Sequence, residues 1–153
     1  MLKSYKELKV WERSYRLCLE VYSITRAFPP AERFGLASQI QRAAVSVPSN
    51  IAEAYGRGTT SEFIRGARVA YGSLAELETH LLIAADLRYV RPVAHDAALA
   101  EIHEIELMLK ALIKSLERRR ASATLGLSVS RSLDLSNSPA ATPPHRRTTE
   151  VIA

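Results

Sequence analysis

Between residues 4 and 117 the apolar positions recur at alternating steps of three and four, the spacing that lines one face of an α-helix. Helices are predicted over about 4–27, 31–55, 60–87 and 92–117. The second is the most telling. Leu36, Ile40, Ala43, Val47, Ile51 and Ala54 keep a single stripe although Pro48 falls within it. Proline has no N–H for the carbonyl of Ala44, and its ring crowds that carbonyl. A stripe that survives it predicts one kinked helix rather than two unrelated ones, with Ser46, Ser49 or the Asn50 amide available to satisfy the freed carbonyl. Phe63, Ala67, Ala70, Leu74, Leu77, Leu81 and Ala84 form the seam of the third helix. Ala98, Ile102, Ile105, Leu109, Leu112 and Leu116 form that of the fourth.

The punctuation agrees with these spans. Pro29 and Pro30 stop the first helix, and Pro30 suits the first turn of the second. Gly56 and Gly58 end the second and make its turn. Thr59 and Glu62 have the spacing of a capping box, in which hydroxyl and carboxylate each take up a free backbone N–H. Gly66 and Gly72 admit a neighbouring backbone at some cost in helix propensity. No segment of the folded part reads as a strand. Four long amphipathic helices with short connections predict an all-α, antiparallel up-down four-helix bundle over 1–120. From Ala121 the period is lost: ten of the last 33 residues are Ser or Thr and three are Pro, so 121–153 is predicted as a disordered tail.

The first helix carries more apolar surface than one bundle position requires. Lys9, Glu12, Arg13, Arg16, Glu20 and Ser23 crowd into about a third of its circumference at 100° per residue. Leu8, Trp11, Tyr15, Cys18 and Tyr22 make one apolar stripe, and Val10, Leu17, Val21 and Ile24 a second. Two stripes predict cover on two sides, by the protein's own bundle and by another copy, with Val10, Trp11, Tyr15, Leu17 and Val21 at the contact.

Charge sharpens this picture. The net charge is +5, but residues 1–91 hold 13 Lys and Arg against 9 Asp and Glu, while 92–117 hold 2 against 5. A basic side and an acidic last helix are expected. Lys6, Lys9, Arg13 and Arg16 on the first helix, Arg42 and Arg57 flanking the proline, and Arg65 and Arg68 on the third are candidates for a phosphate-binding surface. The plainer reading is a solvated face interleaved with Glu7, Glu12 and Glu62. No aromatic platform or loop motif for reading bases is evident along the chain.

Little else suggests chemistry. Asn50 and Glu53 beside Pro48 are most like a site, as ligand holders or a base, yet a structural task fits them better, with Glu53 pairing to Arg42 or Arg57. A di-iron bundle wants two Glu-x-x-His motifs; Glu76 with His80 and His103 with Glu106 have the wrong spacing or order. No phosphate loop, nucleophile elbow or triad is visible, and no cofactor is expected. One cysteine, Cys18, excludes an internal disulfide and fits a reducing cytoplasm. No apolar run is long enough for a bilayer, and the N-terminus lacks a signal-peptide core.

Three segments, YKELKVWERSYRL, RAAVSVPSNIAEAYGRG and EFIRGARVAYGSLAELETHLLIAADL, resemble a bacterial four-helix-bundle family. That family includes proteins encoded within intervening sequences of large-subunit ribosomal RNA genes and the accessory variability determinant of diversity-generating retroelements. The resemblance spans about Tyr5 to Glu117. It implies a five-fold homo-oligomer and work alongside RNA or a reverse transcriptase, and it marks Pro48, Asn50, Glu53, Gly56 and Gly58 as the motif. Ala54 and Arg88 depart from it, since glycine is usual at both positions. Ala54 should extend the second helix, and Arg88 should alter the turn from Leu87 to Pro92. The leading expectation is a non-enzymatic, oligomeric scaffold for structured RNA or an RNA-handling protein. The alternative is a protein-only adaptor whose groove takes a partner helix. An enzyme using Glu53 and His80 in one cavity is a third.

Overall fold

The computed structural model describes the backbone of residues 3–136 and the side chains of residues 3–126. The chain divides into two compact units, Met1–Arg120 and Ala121–Ala153. The first unit contains the helical bundle: α1 (Lys9–Thr25), α2 (Leu36–Gly56), α3 (Thr60–Asp86) and the first part of α4 (Pro92–Ser136). Single 3-10 turns, Tyr5–Glu7 and Pro30–Glu32, precede α1 and α2. The second helix thus begins later than Pro30 suggested. Proline there starts a tight turn, and the Glu32 carboxylate caps α2 by accepting from the Leu36 N–H at 2.9 Å. The fourth runs to Ser136 rather than ending near residue 117. No proline stands between Pro92 and Pro139, and Ala, Ser and Leu around Gly126 carry no stop strong enough to end a helix. The rest of the expected tail, 137–153, lies outside the described residues.

The seams form the core as the periodicity predicts. Ile40, Val47 and Ile51 of α2, Leu74, Leu77 and Leu81 of α3, and Ile102, Ile105 and Leu109 of α4 are buried together with Leu17 and Val21 of α1. On α3 the first buried side chain is Ile64, one residue after the expected Phe63. Partners run in opposite directions along neighbouring helices. Arg68 of α3 meets Glu117 of α4 while Tyr71 meets Glu106; Thr25 of α1 meets Gln41 of α2 while Tyr5, just before α1, meets Tyr55; and Ser46 of α2 meets Ser73 of α3 while Ala54 faces Gly66. The helices are antiparallel.

α2 passes through Pro48 without a break. The local repair differs from expectation. The Asn50 side chain donates not to Ala44 but to the Ser46 carbonyl at 2.7 Å and to the Ser46 hydroxyl at 2.8 Å. Ser46 Oγ lies 2.8 Å from Ser73 Oγ of α3, and Ser73 donates to the Val69 carbonyl at 3.1 Å. Since Ser73 spends its proton on Val69, Ser46 donates to Ser73. The result is a one-directional chain of donors tying α2 to α3, which low surrounding polarity strengthens.

Two reversals use left-handed backbone. Gly58 (φ 74°) follows α2, where lack of a Cβ makes that conformation free of strain. Arg88 (φ 59°) follows α3. The Arg88 N–H donates to the Ala85 carbonyl at 2.9 Å and the Tyr89 N–H to that of Ala84 at 2.8 Å, a complete Schellman motif. The expectation that arginine would alter this turn is therefore corrected. The turn keeps its glycine-like geometry, fastened by those two bonds and by Tyr89 packing on Phe28 at 5.6 Å between ring centres.

Candidate nucleic-acid interface

The expected basic surface is mostly engaged by acids. Arg13 on α1 makes a bidentate pair with Glu101 of α4, both bonds at 2.7 Å, and lies 3.4 Å from Glu104. These bonds, chiefly the one from Glu101, hold the guanidinium's pKa above its ordinary value. Arg68 pairs with Glu117 at 2.6 Å. Arg57 holds Glu53 at 2.5 Å, with Glu62 at 3.7 Å, so Glu53 pairs with Arg57 rather than Arg42. Arg16 and Lys9 share Glu12, at 2.6 and 3.4 Å. Arg42 bonds, among the described residues, only the neutral amide of Gln39, at 2.6 Å. Among the described residues Lys6 and Arg65 have no acidic partner. The asymmetry between the basic first helices and the acidic fourth is used for packing: Glu101, Glu104 and Glu117 face the arginines of α1 and α3.

On α4 the Glu106 carboxylate accepts from Lys110 at 2.7 Å and from the Tyr71 hydroxyl at 2.6 Å. Lys110, and then Tyr71, hold its pKa below the usual carboxylate value. Thr59 caps α3 by accepting from the Glu62 N–H at 3.2 Å, while the Glu62 carboxylate faces Arg57. Glu53 lines two open grooves, one with Gly66 and Val69 and one with Tyr22 and Val45; His80 lines neither. Burial raises the Cys18 thiol pKa, as for a packed small hydrophobe.

The two stripes of α1 separate. Val10, Leu17 and Val21, expected at a contact between copies, are buried in the protein's own core. The other stripe divides: Leu8, Trp11 and Cys18 are half-buried against the same core, while Tyr15 and Tyr22 are 47% and 41% exposed, beside Leu19, which belongs to neither stripe and is 57% exposed. Trp11 is half-buried beneath Tyr15, the rings stacked at 5.3 Å.

One feature escaped the reading of the sequence. Trp11 meets Tyr5 at 5.1 Å, Tyr5 meets Tyr55 at 6.4 Å, and Tyr55 meets Phe63 at 6.0 Å, so five aromatic rings run across one end of the bundle. Tyr5 and Tyr55 are far apart in the chain, and only the antiparallel return of α2 joins them. No local pattern signals that contact.

The model of the family described as "23S rRNA-intervening sequence protein" matches residues 6–111. The chain belongs to that family. A crystal structure of a protein with unknown function from the S23 ribosomal protein family of Bacteroides thetaiotaomicron is similar in fold, with a TM-score of 0.64 and 22% identity over 69% of this chain and 98% of that one. No curated protein matches the chain. The intervening-sequence family match takes in α1, α2, α3 and the motif around Pro48, and it stops short of Arg118, Arg119 and Arg120. Among the described residues no helix is long and apolar enough to cross a membrane.

Proposed function

We propose that this intervening-sequence family member is a non-enzymatic scaffold that self-associates and binds structured RNA, alone or with an RNA-handling protein. The observation that carries the reading is the sorting of its cations. Arg13 and Arg68 are locked to α4, whereas Lys6, Arg42 and Arg65 keep their charge available to phosphate. Glu53, the carboxylate most like a base, is held by Arg57. The exposed Tyr15, Leu19 and Tyr22 supply the apolar face for association, and a five-fold ring is the assembly the resemblance implies.

The test is retention of a folded RNA across a salt series, with mass from light scattering in parallel. Combined Lys6→Gln, Arg42→Gln and Arg65→Gln should weaken binding and lower the salt slope by about one for each phosphate contact removed. Undiminished binding by that variant would dismiss this surface. No retention of RNA by the unaltered protein at low salt would favour the protein-only adaptor, and a single-copy mass would remove the ring.

A further inference from the structure

The end of the bundle where α1 begins carries an open groove of about 920 Å³, lined among others by Glu7, Tyr55, Thr60, Phe63, Leu116 and Arg119. Its walls come from four places: the 3-10 turn before α1, the end of α2, the start of α3 and α4. Tyr55 and Phe63 stand edge to face, their rings inclined by 85°, and both are only half-buried. They close the aromatic run that starts at Tyr15. Among the described residues the one carboxylate on the lining, Glu7, accepts from the Lys3 N–H at 3.3 Å. Arg119 on the lining, and its chain neighbour Arg118, have no acidic side chain as partner among the described residues, and neither has Lys6, next in the chain to Glu7. An apolar floor with Arg119 on its lining, and Lys6 and Arg118 adjacent in the chain to lining residues, discriminates between occupants. A hydrophobic partner helix would not need the cations, and a paired RNA helix covers its base faces by stacking and offers side chains only phosphates and groove edges. Unpaired nucleotides present both a π-face and a phosphate.

We propose that this groove holds unpaired nucleotides of an RNA, with bases stacked on Tyr55 and Phe63 and phosphates on Arg119 and Lys6. The inference rests on the RNA-binding reading and narrows it to single-stranded stretches, placing the contact at the bundle end. Thr59 and Thr60, at the cap of α3, put hydroxyls on the same rim, where sugar or phosphate oxygens would lie.

The experiment is fluorescence anisotropy of the full chain with a labelled single-stranded RNA of mixed sequence and with the blunt duplex of that sequence, at several salt concentrations. The single strand should bind more tightly than the duplex. Phe63→Leu, which keeps apolar volume but removes the π-face, should weaken the single strand by roughly tenfold, the effect of one lost base–aromatic stack, and leave the duplex unchanged. Arg119→Gln sits on an exposed position with no part in the core, so it reports even if Phe63→Leu folds poorly. It should lower the salt slope on the single strand by about 0.7, one phosphate's share. Equal binding of strand and duplex, unaffected by Phe63→Leu and Arg119→Gln, overturns the stacking groove while RNA binding stands. Absence of binding to either RNA overturns both.

Discussion

The seam between α2 and α3 and the seams that α4 makes with α1 and α3 are held by different physics. Along the middle of α2 and α3 the contact is close and uncharged, the Arg57–Glu62 pair lying beyond it at the turn. Gly66 lies so near α2 that a Cβ placed there would fall deep inside the contact radius of Ala54 Cβ and 3.0 Å from the Asn50 carbonyl oxygen. About two turns away the Asn50, Ser46 and Ser73 chain crosses the same boundary. The outer edge of α4 is instead fixed by long side chains, Arg13 to Glu101 and Arg68 to Glu117, above a shared apolar layer. A small-residue seam tolerates no added volume and is indifferent to salt. A charged seam tolerates volume and is screened by salt.

The sharpest way to break this contrast is Gly66→Ala. The new methyl must displace the rigid Cβ of Ala54, an overpacking cost of about 3 kcal/mol, offset by about 1 kcal/mol of improved helix propensity. A net loss of about 2 kcal/mol is expected in urea denaturation. The swapped pair, Gly66→Ala with Ala54→Gly, moves the methyl to the other helix and should restore most of that loss, giving a large coupling in the double-mutant cycle. A Gly66→Ala protein as stable as the original would refute the close approach. Gly72 serves as the internal comparison: nothing lies within 4 Å of a Cβ built there, so Gly72→Ala should stabilise α3 by up to about 1 kcal/mol.

That pair of glycines also shows where the sequence could be read and where it could not. Both were legible as permitting close approach; which one is used depends on the facing helix. The apolar stripes were readable because each helix carries its own period, and so Ile40, Val47, Leu74, Leu81, Ile102 and Leu109 fall inside as expected. The surface was poorly legible. Arg13 and Arg68 have the same look in the chain as Lys6 and Arg65, and only the placement of α4 makes the first two structural. The aromatic run was invisible for the same reason, since Tyr5, Tyr55 and Phe63 belong to three elements.

The two reversals that lead into these seams give a second test. Gly58 and Arg88 occupy the same left-handed region, yet only one is a glycine. An L side chain there costs roughly 1–2 kcal/mol, offset at Arg88 by the two Schellman bonds and the Tyr89–Phe28 contact. Arg88→Gly should therefore raise stability by about 1 kcal/mol, less the greater entropy glycine gives the unfolded chain. Gly58→Arg, the mirror experiment, should lower it by a similar amount. If Arg88→Gly is clearly destabilising, the arginine side chain itself must hold the turn.

The smallest effect is the most discriminating between the two kinds of seam. Arg13 and Glu101 are partly exposed, so even a bidentate pair is screened by solvent, and Arg13→Gln should cost only about 0.5–1 kcal/mol. Its dependence on salt is what matters. At about 1 M salt the screening length falls to about 3 Å, so the loss should shrink toward zero as salt rises, whereas the penalty of Gly66→Ala should stay constant through the same series. Neutralising Arg13 also leaves Glu101 and Glu104 unopposed on one face of α4, and their repulsion is relieved by the same salt. A loss at Arg13 that persists at high salt would mean that its aliphatic stem, which carries the guanidinium from α1 to Glu101 of α4, matters more than its charge, and the α4 seam would then be held by packing, as the α2–α3 seam is.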